Sequence, residues 1–319
     1  MSRPSVPLIL IFALLATTIA CGTATPASEA PAGPPPTQAL MDAKSPEPPE
    51  APPPSRTPPP PTPTPDPNAV SQGTYLVGED IQAGLYRGDA GQGLGGSCYW
   101  ARLKDLSGGL DSILANDNAE GQFYIQVAET DKALEVACDV VFMPDLPAPV
   151  AQFPEQLPPG MYLVGVDIQA GMYRGIAGQG FGDSCYWARL KDLSGGLYSL
   201  LANDNAGGQF YLEVLTSDKA LETACDLSYL AALPAPATTF PDTIDPGMYL
   251  VGVDIQPGIY KGQAGTDFSQ SCYWQRIVNL TGDLYSIIAN DNATGQFYVQ
   301  VAATDMALET ACELTRTGD

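Results

Sequence analysis

Ser97-Cys98-Tyr99-Trp100 returns as Ser184-Cys185-Tyr186-Trp187 and again as Ser271-Cys272-Tyr273-Trp274, 87 residues later each time. A second cysteine follows the first by 40 residues in every copy, at Cys138, Cys225 and Cys312. One tryptophan and one cysteine pair per copy describe a small unit built three times. The windows 73–139, 160–226 and 247–313 align without a gap, and 38 of their 67 positions carry the same residue in all three copies. Copies this similar should share one fold. A chain of 319 residues has room for two or three modest domains, and the repeat sets the number at three.

Around the quoted stretch the hydrophobic period is two, as in strands. Cys98, Trp100 and Arg102 fall on one face and Tyr99, Ala101 and Leu103 on the other. Phe123, Ile125 and Val127 alternate with Tyr124 and Gln126, so the first set faces inward and the second outward. Gly73 to Gly78 is a β-prone run bounded by glycines. Ala83-Gly84, written Pro257-Gly258 in the third copy, has the signature of a type II turn. Leu110 to Ala115 reads as a further strand, and Asn116-Asp117-Asn118 as a turn. Six or seven short strands in about 70 residues, with no helical period, predict an all-β chain of three tandem β-sandwich or β-barrel modules. The modules occupy residues 73–142, 160–229 and 247–316. The connectors 143–159 and 230–246 both contain Leu-Pro-Ala-Pro and Phe-Pro, which predicts stiff spacers between separate beads.

A module this small has a core of marginal strength and needs a staple. The paired cysteines supply it: Cys98 with Cys138, Cys185 with Cys225, and Cys272 with Cys312. A closed loop of about 40 residues stabilises by about 4 kcal/mol in the chain-entropy account. Trp100 should pack against the bridge. Six paired cysteines in small modules belong to an oxidising, extracytoplasmic compartment.

The seventh cysteine, Cys21, ends an N-terminal segment with Arg3 and an apolar run at 8–16, too short to span a bilayer. Residues 1–20 read as an export signal. Thr18-Ile19-Ala20-Cys21-Gly22 resembles the lipobox of bacterial lipoproteins, with Thr18 and Ile19 at positions where leucine and a small residue are commoner. The resemblance implies lipidation of Cys21, and a membrane partner reached through that anchor. From there to residue 72 runs a linker; 18 of the 46 residues from 23 to 68 are proline, a composition that cannot form a packed core and suits a disordered, semi-rigid stalk.

Composition excludes much chemistry. There is no histidine, which removes the usual general base and the usual transition-metal ligand. A net charge of −22 opposes nucleic acid and anionic lipid surfaces. The spacing of Asn116, Asp117 and Asn118 resembles the start of an EF-hand loop, but the closing bidentate position falls on Val127, which cannot ligate. No metal and no cofactor are expected. The glycine-rich stretch 88–96 lacks the Gly-Lys-Ser/Thr ending of a phosphate loop. Arg102 recurs beside the recurring carboxylates Asp80, Asp131 and Glu135, and Asp80 or Glu135 should pair with it.

The outward aromatics Tyr99, Tyr124, Tyr186, Tyr211, Tyr273 and Tyr298 are the candidate ligand contacts, since tyrosines on a sheet face stack on sugars or anchor protein partners. Signal, lipobox, proline-rich stalk and tandem disulfide modules together resemble a bacterial surface lipoprotein. The motif Gly-x-Tyr-Leu-Val-Gly-x-Asp-Ile-x-x-Gly-x-Tyr followed by Cys-Tyr-Trp is similar to a repeat of uncharacterised exported bacterial proteins, and implies no known activity. The expectation is a membrane-anchored, non-enzymatic protein displaying three equivalent binding or adhesion modules for a glycan or protein, tightened by avidity. A carboxylate-based hydrolase of envelope sugars and a purely structural spacer are the alternatives.

Overall fold

The computed structural model describes residues 66–91, 95–178 and 183–318. The export segment 1–20, Cys21 and the proline-rich stretch up to residue 65 lie outside the described residues. Among the described residues no helix is long and apolar enough to cross a membrane.

The chain is all-β. Module one runs β1 (Ala69–Val70), β2 (Gly73–Leu76), β3 (Gly84–Asp89), β4 (Cys98–Leu103), β5 (Ile113–Ala119), β6 (Gln122–Val127), β7 (Ala133–Val136) and β8 (Val140–Met143). They form two four-stranded antiparallel sheets, ordered β1-β8-β3-β6 and β2-β7-β4-β5, and the same pair of sheets recurs in modules two and three. Two discrete sheets over one core make each module a sandwich. The period-two pattern explains the faces: Phe123, Ile125 and Val127 of β6 are buried with Tyr86 of β3, Trp100 of β4 and Leu134 of β7. Each such aliphatic or aromatic side chain contributes about 1.5–3 kcal/mol by leaving water. Gly88 in β3 lies under the Phe123 ring, where a Cβ would come within 2.1 Å of Cζ. The glycine is therefore part of the packing.

The bridges Cys98–Cys138, Cys185–Cys225 and Cys272–Cys312 are formed, with Cα–Cα distances of 5.6, 5.5 and 5.7 Å. Each ties the start of the interior strand of one sheet to the segment that crosses to the other.

Several local expectations differ from the structure. Asn116-Asp117-Asn118 is not a turn but part of β5, with Trp100 opposite Asp117 and Tyr99 opposite Asn118. The ladder offered by β4 overrides the poor strand propensity of Asn and Asp. The reversal comes at Glu120-Gly121, where Gly121 takes φ +57°. Residues Leu110–Ser112 form a 3-10 turn rather than strand. The tight left-handed glycine is Gly78 (φ +84°), while Gly84 (φ +147°) opens β3 without a type II turn. Two-residue edge strands at Ala69–Val70, Gln156–Leu157 and Thr243–Ile244 begin each module ahead of the windows starting at 73, 160 and 247.

The largest difference concerns the connectors. The modules are not separate beads. One apolar cluster contains Trp100, Phe123 and Tyr124 of module one together with Met161, Leu163, Ala188, Leu190 and Leu193 of module two. A second joins Trp187 and Tyr211 to Met248, Leu250, Ile277 and Leu280. The connectors are pinned to the module they lead into, through Val150 N donating to Val166 O and Ala237 N donating to Val253 O at 2.9 and 2.8 Å.

Candidate functional site: the inter-module clefts

Arg102 sits on β4, two residues past Trp100 and on the same face. Its Nε and Nη2 donate to the two carboxylate oxygens of Asp131 at 2.6 and 2.8 Å, a bidentate pair. Asp131, not Asp80 or Glu135, is thus the partner. Asp80 instead accepts from the Leu76 amide at 2.9 Å and closes the turn at Gly78. The remaining guanidinium nitrogen leaves the module: Arg102 Nη1 donates to Ser194 O of module two at 2.6 Å. Arg189 repeats the pattern with Asp218 and with Thr281 O. A buried guanidinium thus binds a carboxylate within its module and a loop carbonyl of the next.

The loop it reaches is Leu193-Ser194-Gly195. Leu193 O accepts from the Gln126 amide at 3.0 Å. Gly195 lies under the Trp100 ring, and a Cβ there would be 2.5 Å from Cη2. The tip of Trp100 therefore meets the next module's glycine rather than only its own bridge. Gln122 Nε2 donates to Met161 O at 2.9 Å, and Tyr124 OH donates to Asp167 Oδ2 at 3.0 Å. The second junction copies these contacts with Gln209 and Met248 O at 3.0 Å, Glu213 N and Leu280 O at 2.8 Å, and Trp187 over Gly282.

Each junction leaves a cleft beside this seam, of about 240 Å³ at the first and about 270 Å³ at the second. Trp100, Asp117 and Tyr124 line the first from module one; Met161, Tyr186 and Glu222 line it from module two. Burial, then the neighbouring Asp117, pushes the Glu222 carboxyl up to about 8. Burial raises Asp117 too, against the hydrogen bond from Glu222. Burial and the neighbouring Asp117 thus favour the protonated form of Glu222, with Asp117 as the acceptor beside it. The second cleft pairs Glu309 with Asp204; burial and then Asp204 push Glu309 up to about 7, and Gln275 Nε2 donates to it at 2.5 Å. Tyr186 is driven up to about 12 by burial and the carboxylates near it. The buried Trp100 Nε1 has no hydrogen-bond partner among the described residues.

The cleft mouths carry the 3-10 turns. Leu197 and Leu284 line the clefts, and the adjoining Tyr198 and Tyr285 are 91% and 94% exposed. The apolar pattern of this segment favours a strand, so the turn and its exposed residues are not legible from it. A signal was present: Leu-Tyr-Ser follows Gly195-Gly196 in the second copy and Gly282-Asp283 in the third, and Gly-Gly and Gly-Asp favour a turn over the start of a buried strand.

The six candidate tyrosines divide by position. Tyr186 and Tyr273 line the two clefts, and Tyr99 lies half-buried on the corresponding face of module one. Tyr124 and Tyr211 do point outward from their own sheet, yet they are 1% and 2% exposed because the next module covers them. Tyr298, with no module after it among the described residues, is 56% exposed. Among the described residues no group of three or more His, Cys, Asp or Glu is arranged to hold a metal ion.

A sandwich stapled by one disulfide and repeated with fused junctions defines a class of extracellular β-repeat protein. A family model for the Rv1352-like extracellular domain matches three times, over residues 67–138, 151–226 and 238–313, and the chain belongs to that family. Its modules are extracytoplasmic. No curated protein matches the chain, and no solved structure does.

Proposed function

We propose that the protein is a non-catalytic, membrane-anchored surface protein that binds a glycan in its two inter-module clefts. The observation that carries this reading is that one lining recurs at both junctions: a Trp, two Tyr and a proton-sharing carboxyl pair, with an exposed Leu-Tyr turn at the mouth. The half-buried rings of Tyr186 and Tyr273 and the exposed tyrosines of the turns, flanked by a few fixed polar groups, suit a sugar ring, which is apolar on its faces and hydroxylated at its rim. A cleft of about 240 Å³ has room for roughly one such ring, with neighbouring sugars lying over the turns. The reading without catalysis is supported by the carboxyl pairs themselves. Asp117 and Glu222 hydrogen-bond each other, whereas glycosidase carboxyls stand about 5–9.5 Å apart to admit the reacting bond and water.

Binding at junctions changes the count. Three independent modules would take three ligands, while two clefts take two. Full-length protein is probed on a glycan array and the strongest hit is titrated by calorimetry. A stoichiometry of two, lost in Tyr198→Ala/Tyr285→Ala without a change in melting temperature, is expected. A stoichiometry of three at a concentration where the chain is monomeric returns the site to the single module, and an array with no hit overturns the glycan reading.

The anchor rests on Cys21 and its flanking residues. More than one acyl chain at that residue would hold the protein stably at a membrane. Incorporation of labelled palmitate that persists in Cys21→Ser would refute it.

A further inference from the structure

Among the described residues, nothing covers the face of the first module that modules two and three bury against their predecessors. Leu106 is 58% exposed, while its equivalents Leu193 and Leu280 are 4% and 3% exposed. Thr74, Tyr99, Leu103, Leu106, Gly108 and Glu135 border an open hollow there, the half-built counterpart of the clefts. The third module presents the opposite half. Tyr298 is 56% exposed against 1% and 2% for Tyr124 and Tyr211. The Arg276 side chain is 21% exposed, against 10% for Arg102 and 4% for Arg189.

We propose that copies of this chain associate head to tail, the third module of one docking on the first module of the next through the same junction that joins the modules internally.

The two halves fit group by group. The internal junctions are made by backbone carbonyls and by side chains that module one retains. Gln122 and Gln209 donate to a main-chain carbonyl at Met161 and Met248; Gln296 would meet that of Thr74, whatever its side chain. Tyr124 donates to Asp167; Tyr298 would meet Asp80. Arg102 and Arg189 donate to Ser194 O and Thr281 O; Arg276, already oriented by Asp305 at 2.6 Å, would meet Ser107 O. The glycine that accepts the Trp ring is present as Gly108, at φ +73° beside +69° and +70° for Gly195 and Gly282. Among the described residues nothing lies within 4 Å of a Cβ built on Gly108, so none of them fills the seat for Trp274. Asp291 would face Glu135 and complete a third cleft.

The contact is heterologous. Different surfaces meet, so association continues until the geometry closes a ring or leaves an open filament. Inside the chain the connector raises the effective concentration of the two faces to about the millimolar range, so the same junction without a connector need only be weak to persist in a crowded layer.

Sedimentation velocity of the full-length chain carrying Cys21→Ser, between about 1 µM and 1 mM, tests this. The expected result is a series of species at integral multiples of the monomer mass. Leu106→Asp and Tyr298→Asp alter side chains that are already solvent-exposed, and each alone should weaken association at least about tenfold. Mixed together, the two variants should form dimers and nothing larger, because each keeps one working face. A chain monomeric up to about 1 mM, or oligomers that both variants leave unchanged, would overturn the proposal; so would a mixture that grows past the dimer.

Discussion

Gly195→Ala should damage the junction between modules one and two far more than Gly108→Ala damages module one. The two glycines occupy the same place in their modules and share the left-handed backbone, at φ +69° and +73°. An L-residue held there costs about 1–2 kcal/mol, and both variants carry that cost. They differ in what the new methyl group meets. At Gly195 it would lie 2.5 Å from Cη2 of Trp100 and 3.3 Å from the Ala115 Cβ. At Gly108 nothing stands within 4 Å. Overpacking against a rigid indole costs about 1–3 kcal/mol, so the two variants should be separated by that amount. Gly282→Ala, whose methyl would sit 2.4 Å from the Trp187 Cη2, should match Gly195→Ala. The assay is urea unfolding followed by tryptophan emission at about 1 µM, dilute enough to keep copies apart. The buried indole gives the emission change a local meaning, since Trp100 and Trp187 should redden when a junction opens. Equal destabilisation by Gly195→Ala and Gly108→Ala, to within about 0.5 kcal/mol, would refute the claim that the Trp ring bears on the neighbouring module.

Glu222 and Glu309 carry raised carboxyl groups in the folded protein, so folding binds protons that the unfolded chain releases. Their contribution is fully present below the ordinary carboxylate range of about 4.5 and lost as pH rises towards about 8 and about 7 respectively. Thermal melts should therefore show a stability that declines from about pH 5 to about pH 8, and Glu222→Gln/Glu309→Gln should flatten that slope; an unchanged slope in the double variant would contradict the buried pairs. Asp131→Ala should cost about 3–5 kcal/mol by leaving Arg102 unpaired in the interior. The same change at Asp305 should cost less, because the Arg276 side chain is 21% exposed and water can take the place of the carboxylate. Chemical denaturation of both variants checks the order, and a larger loss at Asp305 would reverse the reading of the junction.

Much of the fold is legible in the sequence. The 87-residue spacing counted the modules, and the 40-residue spacing paired the cysteines. The alternation in Gln122 to Val127 assigned the inner face of β6. These are local patterns, and a strand's period of two is written in neighbouring residues. Asn116-Asp117-Asn118 and Leu110–Ser112 misled for the complementary reason. Their propensities favour a turn and a strand, and the ladder laid down by β4 decided otherwise.

What only the tertiary structure decided is which copy a recurring residue faces. Tyr124 and Asp167 are 43 residues apart and Arg102 and Ser194 are 92 apart, yet Asp80 and Ser107 offer the same groups within module one. The sequence by itself determined three disulfide-stapled β-modules and their order. Near-identical copies make a contact within a module and a contact to the next one read alike on paper, and the apolar, tryptophan-capped seams that fuse them arise only when the folded faces meet.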